Sequence, residues 1–392
     1  MQKDIVLIST ADWHHPLWTN KQHVSISLAD AGFRVLYIES LGLRKMRNTR
    51  GDCVRIFSRI INAFKLPRQV YPGIWVCSPL VMPGLYKGLP LRLNKLSISV
   101  TIKASSFVLG FVNPMLWTYN PITARIINLR KFSLKIYHAV DAVQEQPDMP
   151  FSLIMNEERS LCRQVDHVFV TSPKLRESLE PYSKRIKFHP NVVDYDHFSK
   201  SLGIKSEDLP GDLASIPEPR IGFIGAISDY KLSIELIADL AKSNPSLNFV
   251  FIGPTEEGEA FTNLKSWSES KNIYCLGPKK YCDLPLYCAG FACGWLPLRK
   301  NKYTASMFPM KFFEYLAAGL PVVATSINSL SQFSSVAFLC EARVDEFSKA
   351  LYLAITGSGP SLEERLAVAR DNTYTARLGK MLSSIEEVQI FN

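Results

Sequence analysis

Between Leu41 and Lys135 the chain has a single acidic residue, Asp52, against 16 basic ones. Other absences narrow the possibilities. No uninterrupted apolar run reaches the roughly 18 residues that a membrane-spanning helix needs. The run from Ile5 to Ile8 is too short for a secretory leader, and Asp4 stands where such a leader has a basic flank. The chain is therefore expected to be cytosolic, or peripheral on the inner face of the cytoplasmic membrane. Its eight cysteines include no CxxC pair, and no histidine follows His197 to join Cys275, Cys282, Cys288 and Cys293 in a zinc site. They read as reduced thiols, mostly buried.

What is present is enough for two cores of ordinary size: 392 residues, 47% hydrophobic and 21% charged. The charge is uneven. Residues 1–200 hold 27 basic and 15 acidic residues, whereas residues 201–392 hold 18 and 21. The excess concentrates in segments where cations alternate with apolar residues, "RKMRNTRGDCVRIFSRIINAFKLPRQ" (44–69) and "LYKGLPLRLNKLSISVTIK" (85–103). No base-reading or base-stacking motif accompanies them, so a nucleic-acid partner is not expected. Apolar side chains that dip into headgroups beside lysines that meet anionic lipid fit the pattern better. A membrane surface is the expected partner.

Along the chain, short apolar strands alternate with helices. "DIVLIST" (4–10), a helical spacing over 19–33 that stops at Gly32, and "RVLYIES" (34–40) make a βαβ unit, hence a parallel sheet. The alternation returns with "LKIYHAVD" (134–141), a helix around 155–165, "DHVFVTS" (166–172) and "RIKFHPNVVD" (185–194). A polar, proline-bearing stretch follows, and a second series starts at "RIGFIGA" (220–226) and runs through "LNFVFIG", "NIYCLG", "FACGWLPL" and "PVVAT". The expectation is an α/β chain of two Rossmann-like domains: 1–198, a linker at 199–218, 219–375, and a C-terminal helix at 376–392 that packs back on the first domain. Ligands of such sheets bind beyond the C-terminal strand ends.

"MFPMKFFEYLAAGLPVVAT" (307–325) predicts a helix over about 309–318, opened by Pro309, capped by Gly319 and stopped by Pro321. Phe312, Phe313, Leu316 and Ala317 would pack inward, while Lys311, Glu314 and Ala318 share another face. By spacing alone Lys311 and Glu314 read as an exposed pair worth a few tenths of a kcal/mol. At a ligand cleft the same helix start would attract phosphate, Lys311 would add charge, and Glu314 could accept both hydroxyls of a ribose.

Residues 272–325 resemble the donor-nucleotide half of the GT-B glycosyltransferases, family four, of the teichuronic-acid or envelope-polysaccharide type. "VDHVFVTSPKLRESL" (165–179) with "HPNVVDYDHF" (189–198) is similar to the end of that family's first domain, and "GFIGAISDYKLSIELI" (222–237) to its phosphate loop. The resemblance implies transfer of a sugar from a nucleotide diphosphate donor to an acceptor, usually with retention and without a bound metal or other cofactor. It places Glu314 at the second glutamate of the family's paired motif, on the ribose, with Ser306 where the first glutamate stands. Ala226 replaces the arginine after Gly225 in the phosphate loop, and Lys231 matches its lysine. The implied donor contacts are thus Gly225, Lys231, Ser306, Met307, Phe308, Lys311 and Glu314. Lys279, Lys280, Arg299 and Lys302 are further cations for the diphosphate.

Breaking a sugar–phosphate bond builds negative charge on the departing phosphate, which fixed cations stabilise. In a retaining reaction that phosphate can itself take the acceptor's proton; inversion would need a separate base. His138 and Asp141, in the loop expected after "LKIY", are the candidate catalytic residues. His14 and His15, after the first strand, either contact the acceptor or fill the loop. "DYD" (194–196) could hold a metal in another transferase fold but reads here as a turn. A lipid-linked glycan acceptor agrees with the basic first domain. A pseudo-enzyme that only binds a glycan or partner, and a nucleotide-sugar epimerase on the same fold, remain as alternatives.

Overall fold

The computed structural model describes residues 3–15, 18–42, 66–82, 87–255 and 262–389. The chain divides into two compact units, residues 1–189 with 378–392, and residues 190–377. Much of the basic segment 44–69, including Cys53, lies outside the described residues. Among those described, Cys77, Cys162, Cys288, Cys293 and Cys340 are buried free thiols, and Cys275 and Cys282 are exposed ones.

The first unit is built on β1 (Lys3–Ile8), β2 (Phe33–Ile38), β3 (Arg68–Tyr71), β4 (Ile74–Cys77), β5 (Met115–Thr118), β6 (Lys135–Ala139), β7 (His167–Val170) and β8 (Ile186–Phe188). Their order is β3-β4-β2-β1-β5-β6-β7-β8, parallel except for the β3–β4 pair. Ile5 to Ile8 are fully buried, as expected of a strand covered on both faces. The helix Asn20–Asp30 starts where Gln22 Oε1 accepts the Thr19 N–H at 3.2 Å, and ends at Gly32, whose φ of +83° suits glycine.

Behind this sheet, Tyr137 of β6 donates a 2.6 Å hydrogen bond to Glu158 of the helix Phe151–Gln164, and both are buried. Burial pushes the Glu158 carboxyl up from 4.5 to about 7. Below pH 4.5 the group is protonated whether the chain is folded or not. As pH rises from 4.5 to 7 the unfolded chain loses the proton first, so this group removes roughly 3 kcal/mol of stability across that window. Glu158→Gln, which keeps an acceptor for Tyr137, is expected to cancel that loss and be the more stable form at pH 8. Urea unfolding of both forms from pH 4.5 to 8 checks it; parallel curves would refute it.

The second unit carries β9 (Arg220–Ile224), β10 (Asn248–Ile252), β11 (Ile273–Cys275), β12 (Cys293–Leu296), β13 (Val322–Thr325) and β14 (Phe338–Cys340). All pairs are parallel, in the order β11-β10-β9-β12-β13-β14. From β9 the chain winds outward through β10 to β11, then returns to place β12 on the other side of β9. The strand order therefore reverses between β9 and β12, the position at which sheets of this kind bind ligands. Residues 199–218, expected as a linker, hold three short helical turns of this unit. Ser201 Oγ there donates to Ala318 O at 2.9 Å, and Leu213 is fully buried.

The sequence did not announce the β3–β4 pair, β5, β14 or the 21-residue helix Gly88–Val108. Among the described residues no helix is long and apolar enough to cross a membrane.

Candidate functional site

At the end of β9 the chain turns through Gly225, whose N–H donates to Ile252 O at 2.8 Å. At the end of β10, Gly253 lies so close that a β-carbon on it would sit 1.9 Å from Gly225 O. The two strands end alike, Phe223-Ile224-Gly225 and Phe251-Ile252-Gly253; Gly253 is needed where two backbones nearly touch, and Gly225 where φ is +154° and the Phe223 ring would lie 3.1 Å from a β-carbon. This repeat was the available signal for Gly253, which the sequence reading passed over. Ile227 N–H then donates to Pro254 O at 2.9 Å. Ser228, fully buried in the same loop, has a hydroxyl with no hydrogen-bond partner among the described residues.

The loop after β12 closes against this one. Arg299 N–H donates to Lys231 O at 2.8 Å, and Asn301 Nδ2 donates to Tyr230 O at 2.8 Å. Arg299 also reaches Asp229 at 2.5 Å and Glu235 at 3.2 Å, so its charge is already partly neutralised. Lys231 is half-buried, with Nζ 5.2 Å from the centre of the Tyr230 ring. Lys302 opens the short helix Lys302–Ala305 and is exposed; Ser306 caps it and is half-buried.

The helix that follows runs Lys311–Ala317, inside the expected range, and Gly319 at φ +78° caps it. Leu320 N–H donates to Tyr315 O and Gly319 N–H to Leu316 O, which ties off two terminal carbonyls. Tyr315 is buried, and its hydroxyl accepts the Ile224 N–H at 2.7 Å, which binds this helix to the end of β9. Lys311 and Glu314 do pair, but not in solvent: the side chains are 18% and 4% exposed. Lys311 Nζ contacts Glu314 Oε2 and lies 5.7 Å from the Phe198 ring centre. Beside them His197 stacks on Tyr281 at 4.2 Å and its Nε2 is 2.9 Å from Tyr281 O. Burial lowers the His197 pKa and raises that of Tyr281, so both rings are neutral near pH 7. Sequence reading gave neither a role, because nothing local marks two residues 84 positions apart as neighbours.

Other expected donor contacts are distributed unevenly. Phe308 is fully buried and stacks on Phe313, so only its backbone groups could face a ligand, and its carbonyl oxygen already accepts from Asn191 Nδ2 at 2.5 Å. Met307 is half-buried and its carbonyl accepts from Ser329 Oγ at 2.8 Å. Lys279 is bound to Asp212 at 2.6 Å and lies over Tyr287, which raises its pKa chiefly through the Asp212 hydrogen bond. Lys280 is exposed. In "DYD", Asp194 accepts the His197 N–H and opens the helix Tyr195–Phe198, which is the turn that was expected. Among the described residues no cluster of three His, Cys, Asp or Glu could hold a metal.

In the first unit, His138 is not in a loop. It lies within β6, fully buried against Trp117, Tyr119 and Phe169 at ring distances of 5.9, 4.9 and 6.2 Å. The strand runs two residues further than its polarity suggests, because neighbouring aromatic rings shield the imidazole. Asp141 follows at the strand's C-terminal end and is half-buried. His14 is exposed, with Nε2 2.6 Å from Arg68 Nη2, and His15 N–H donates to Asp12 O at 3.2 Å.

Residues 218–356, about a third of the chain, match the family model of glycosyl transferases group 1. Solved structures of similar fold include sucrose-phosphate synthase from Thermosynechococcus elongatus, with a TM-score of 0.72 at 16% identity over 100% of both chains. HepE of Anabaena, solved in complex with UDP and glucose, superposes with a TM-score of 0.65 at 14% identity over 97% of this chain and 99% of its own. The chain has the GT-B glycosyltransferase fold. The GT-B chain is also 27% identical, over 184 residues, to TuaH of Bacillus subtilis strain 168, named for teichuronic acid biosynthesis. That match covers 46% of the GT-B chain and 45% of TuaH's length.

The segment matched by the family model contains Gly225, Gly253, Lys231, Arg299, Lys311 and Glu314, all on loops or helices at the C-terminal ends of β9, β10, β12 and the approach to β13. Asn191, His197 and the turns of 199–214 pack onto that segment from outside the matched range.

Proposed function

We propose that this chain transfers a sugar from a nucleoside diphosphate donor, bound at the C-terminal strand ends of the second unit, to a lipid-linked glycan acceptor at an anionic membrane surface, in envelope or exopolysaccharide synthesis. The observation that carries the reading is the backbone approach of Gly225 and Gly253 at the ends of β9 and β10, to which the helix bearing the buried carboxylate of Glu314 is tied through Tyr315 and the Ile224 N–H. Glycines that let backbone come close suit a diphosphate. The Ser228 hydroxyl, without a partner among the described residues, would gain one from a phosphate oxygen, and Lys231 supplies charge. Glu314, held by Lys311, accepts the ribose hydroxyls.

Transfer proceeds with retention and needs no bound metal. The sugar–phosphate bond breaks with its electron pair going to the phosphate oxygen, the acceptor oxygen forms the new bond on the same face, and the departing phosphate takes the acceptor's proton. In the first unit, Asp141 follows the C-terminal end of β6 and is half-buried, whereas His138 is buried within the strand. The nucleotide-binding neighbour HepE and the name of TuaH support the donor class and the polymer class respectively.

Calorimetric titration with UDP, GDP, dTDP and CMP, with and without magnesium, tests the reading. One diphosphate is expected to bind, indifferent to magnesium; binding of none would overturn it. Glu314→Gln should weaken that nucleotide by about 1.5–3 kcal/mol, the range of a hydrogen bond to a charged group. Unchanged affinity would remove Glu314 from the ribose.

A further inference from the structure

The helix Gly88–Val108 is turned the wrong way for a soluble protein. Its buried positions are Asn94, Ile98 and Ser105, two of them polar. Asn94 is fixed there by hydrogen bonds to the backbone N–H and O of Met82 at 3.0 and 3.1 Å. The outward face carries Leu89, Leu93, Leu96, Val100 and Phe107, which are 66%, 46%, 62%, 56% and 86% exposed. Their spacings of four, three, four and seven put them in one straight row on an α-helix, about 27 Å long at 1.5 Å per residue.

Only cations accompany the row. Arg92, Lys95 and Lys103 are exposed on the helix, and no acidic residue occurs in the sequence between Asp52 and Asp141. A protein partner would have to cover a row this apolar with its own apolar face and supply acids at the rim. A bilayer with anionic headgroups offers both at once, as acyl chains beneath a layer of phosphate. The helix is too polar on its inner face to cross a membrane, so it would lie in the plane of the surface.

We propose that the outward row Leu89–Leu93–Leu96–Val100–Phe107 inserts into the headgroup boundary of an anionic membrane, with Arg92, Lys95 and Lys103 on lipid phosphates. This rests on the membrane-surface part of the proposed function and names the element that makes the contact.

The test is co-sedimentation of the full chain with phosphatidylcholine vesicles, alone or mixed with phosphatidylglycerol, for wild type, Leu96→Ser/Phe107→Ser, and Arg92→Gln/Lys103→Gln. Nucleotide affinity and the unfolding midpoint serve as folding controls, since all four side chains are exposed. Wild type should bind only the mixed vesicles and lose binding in high salt. The Ser pair should lower partitioning about tenfold or more, and the Gln pair should do so only at low salt. Tight binding by wild type that the Ser pair leaves intact would overturn the assignment of this helix while leaving membrane binding standing. No binding by wild type to either vesicle would overturn both. A wild-type dimer in light scattering that the Ser pair makes monomeric would show that the row meets a second copy instead, and would overturn the proposal.

Discussion

Gly253→Ala is expected to disrupt the second unit by roughly 4 kcal/mol or more, or to prevent its folding, and to abolish nucleotide binding in whatever folded protein remains. The reason is backbone against backbone. The added methyl would stand 1.9 Å from Gly225 O and 2.7 Å from Gly225 C, at a φ of +148° that a side chain rarely adopts. No rotamer change can relieve that contact. The Gly225 turn must instead move, and with it the hydrogen bond that the Gly225 N–H makes to Ile252 O. Gly211→Ala is the control, because its methyl would meet nothing within 4 Å. That substitution should stay within about 0.5 kcal/mol of wild type. Denaturant unfolding of the two variants checks the contrast, and a Gly253→Ala protein of ordinary stability that binds nucleotide would refute the geometry.

Lys311→Met should cost about 3–5 kcal/mol, the range found when one partner of a buried ion pair is removed. Glu314 is 4% exposed, so its carboxylate would be left charged with its principal counter-charge gone. Lys311→Met combined with Glu314→Gln should recover most of the loss, since no unpaired charge then remains. A double-mutant cycle in urea measures the coupling. Additive losses would mean that the pair contributes no more than a surface contact, as the i, i+3 spacing alone had suggested. Nucleotide binding separates from stability here: the doubly substituted protein should be folded and yet bind its diphosphate weakly, because the ribose acceptor is changed.

These two cases show where sequence reading stops. The Lys311–Glu314 spacing is the same whether a helix faces water or a neighbour, and only the packing of Phe198, His197 and Tyr281 around the pair makes it a buried one. Gly225 was legible through the resemblance of "GFIGAISDYKLSIELI" to a phosphate loop. Gly253 ends its strand in the same three letters but has meaning only through its distance to Gly225. His138 shows the converse error. A polar letter after an apolar run looks like the start of a loop, yet three aromatic rings from β5, the residue after it and β7 keep it inside the sheet.

The sequence by itself determined the alternation of strands and helices, the parallel sheets that follow from it, the Gly319 cap, and the uneven charge, because each depends on local spacing or on composition. Which face of each element meets another was decided only by tertiary structure. A periodic row of leucines on a 21-residue helix states that those residues share a side. That the side points outward depends on which residues the rest of the first unit can cover, and it covers Asn94, Ile98 and Ser105 instead. Burial is a relation between distant segments, so no local pattern could have specified it.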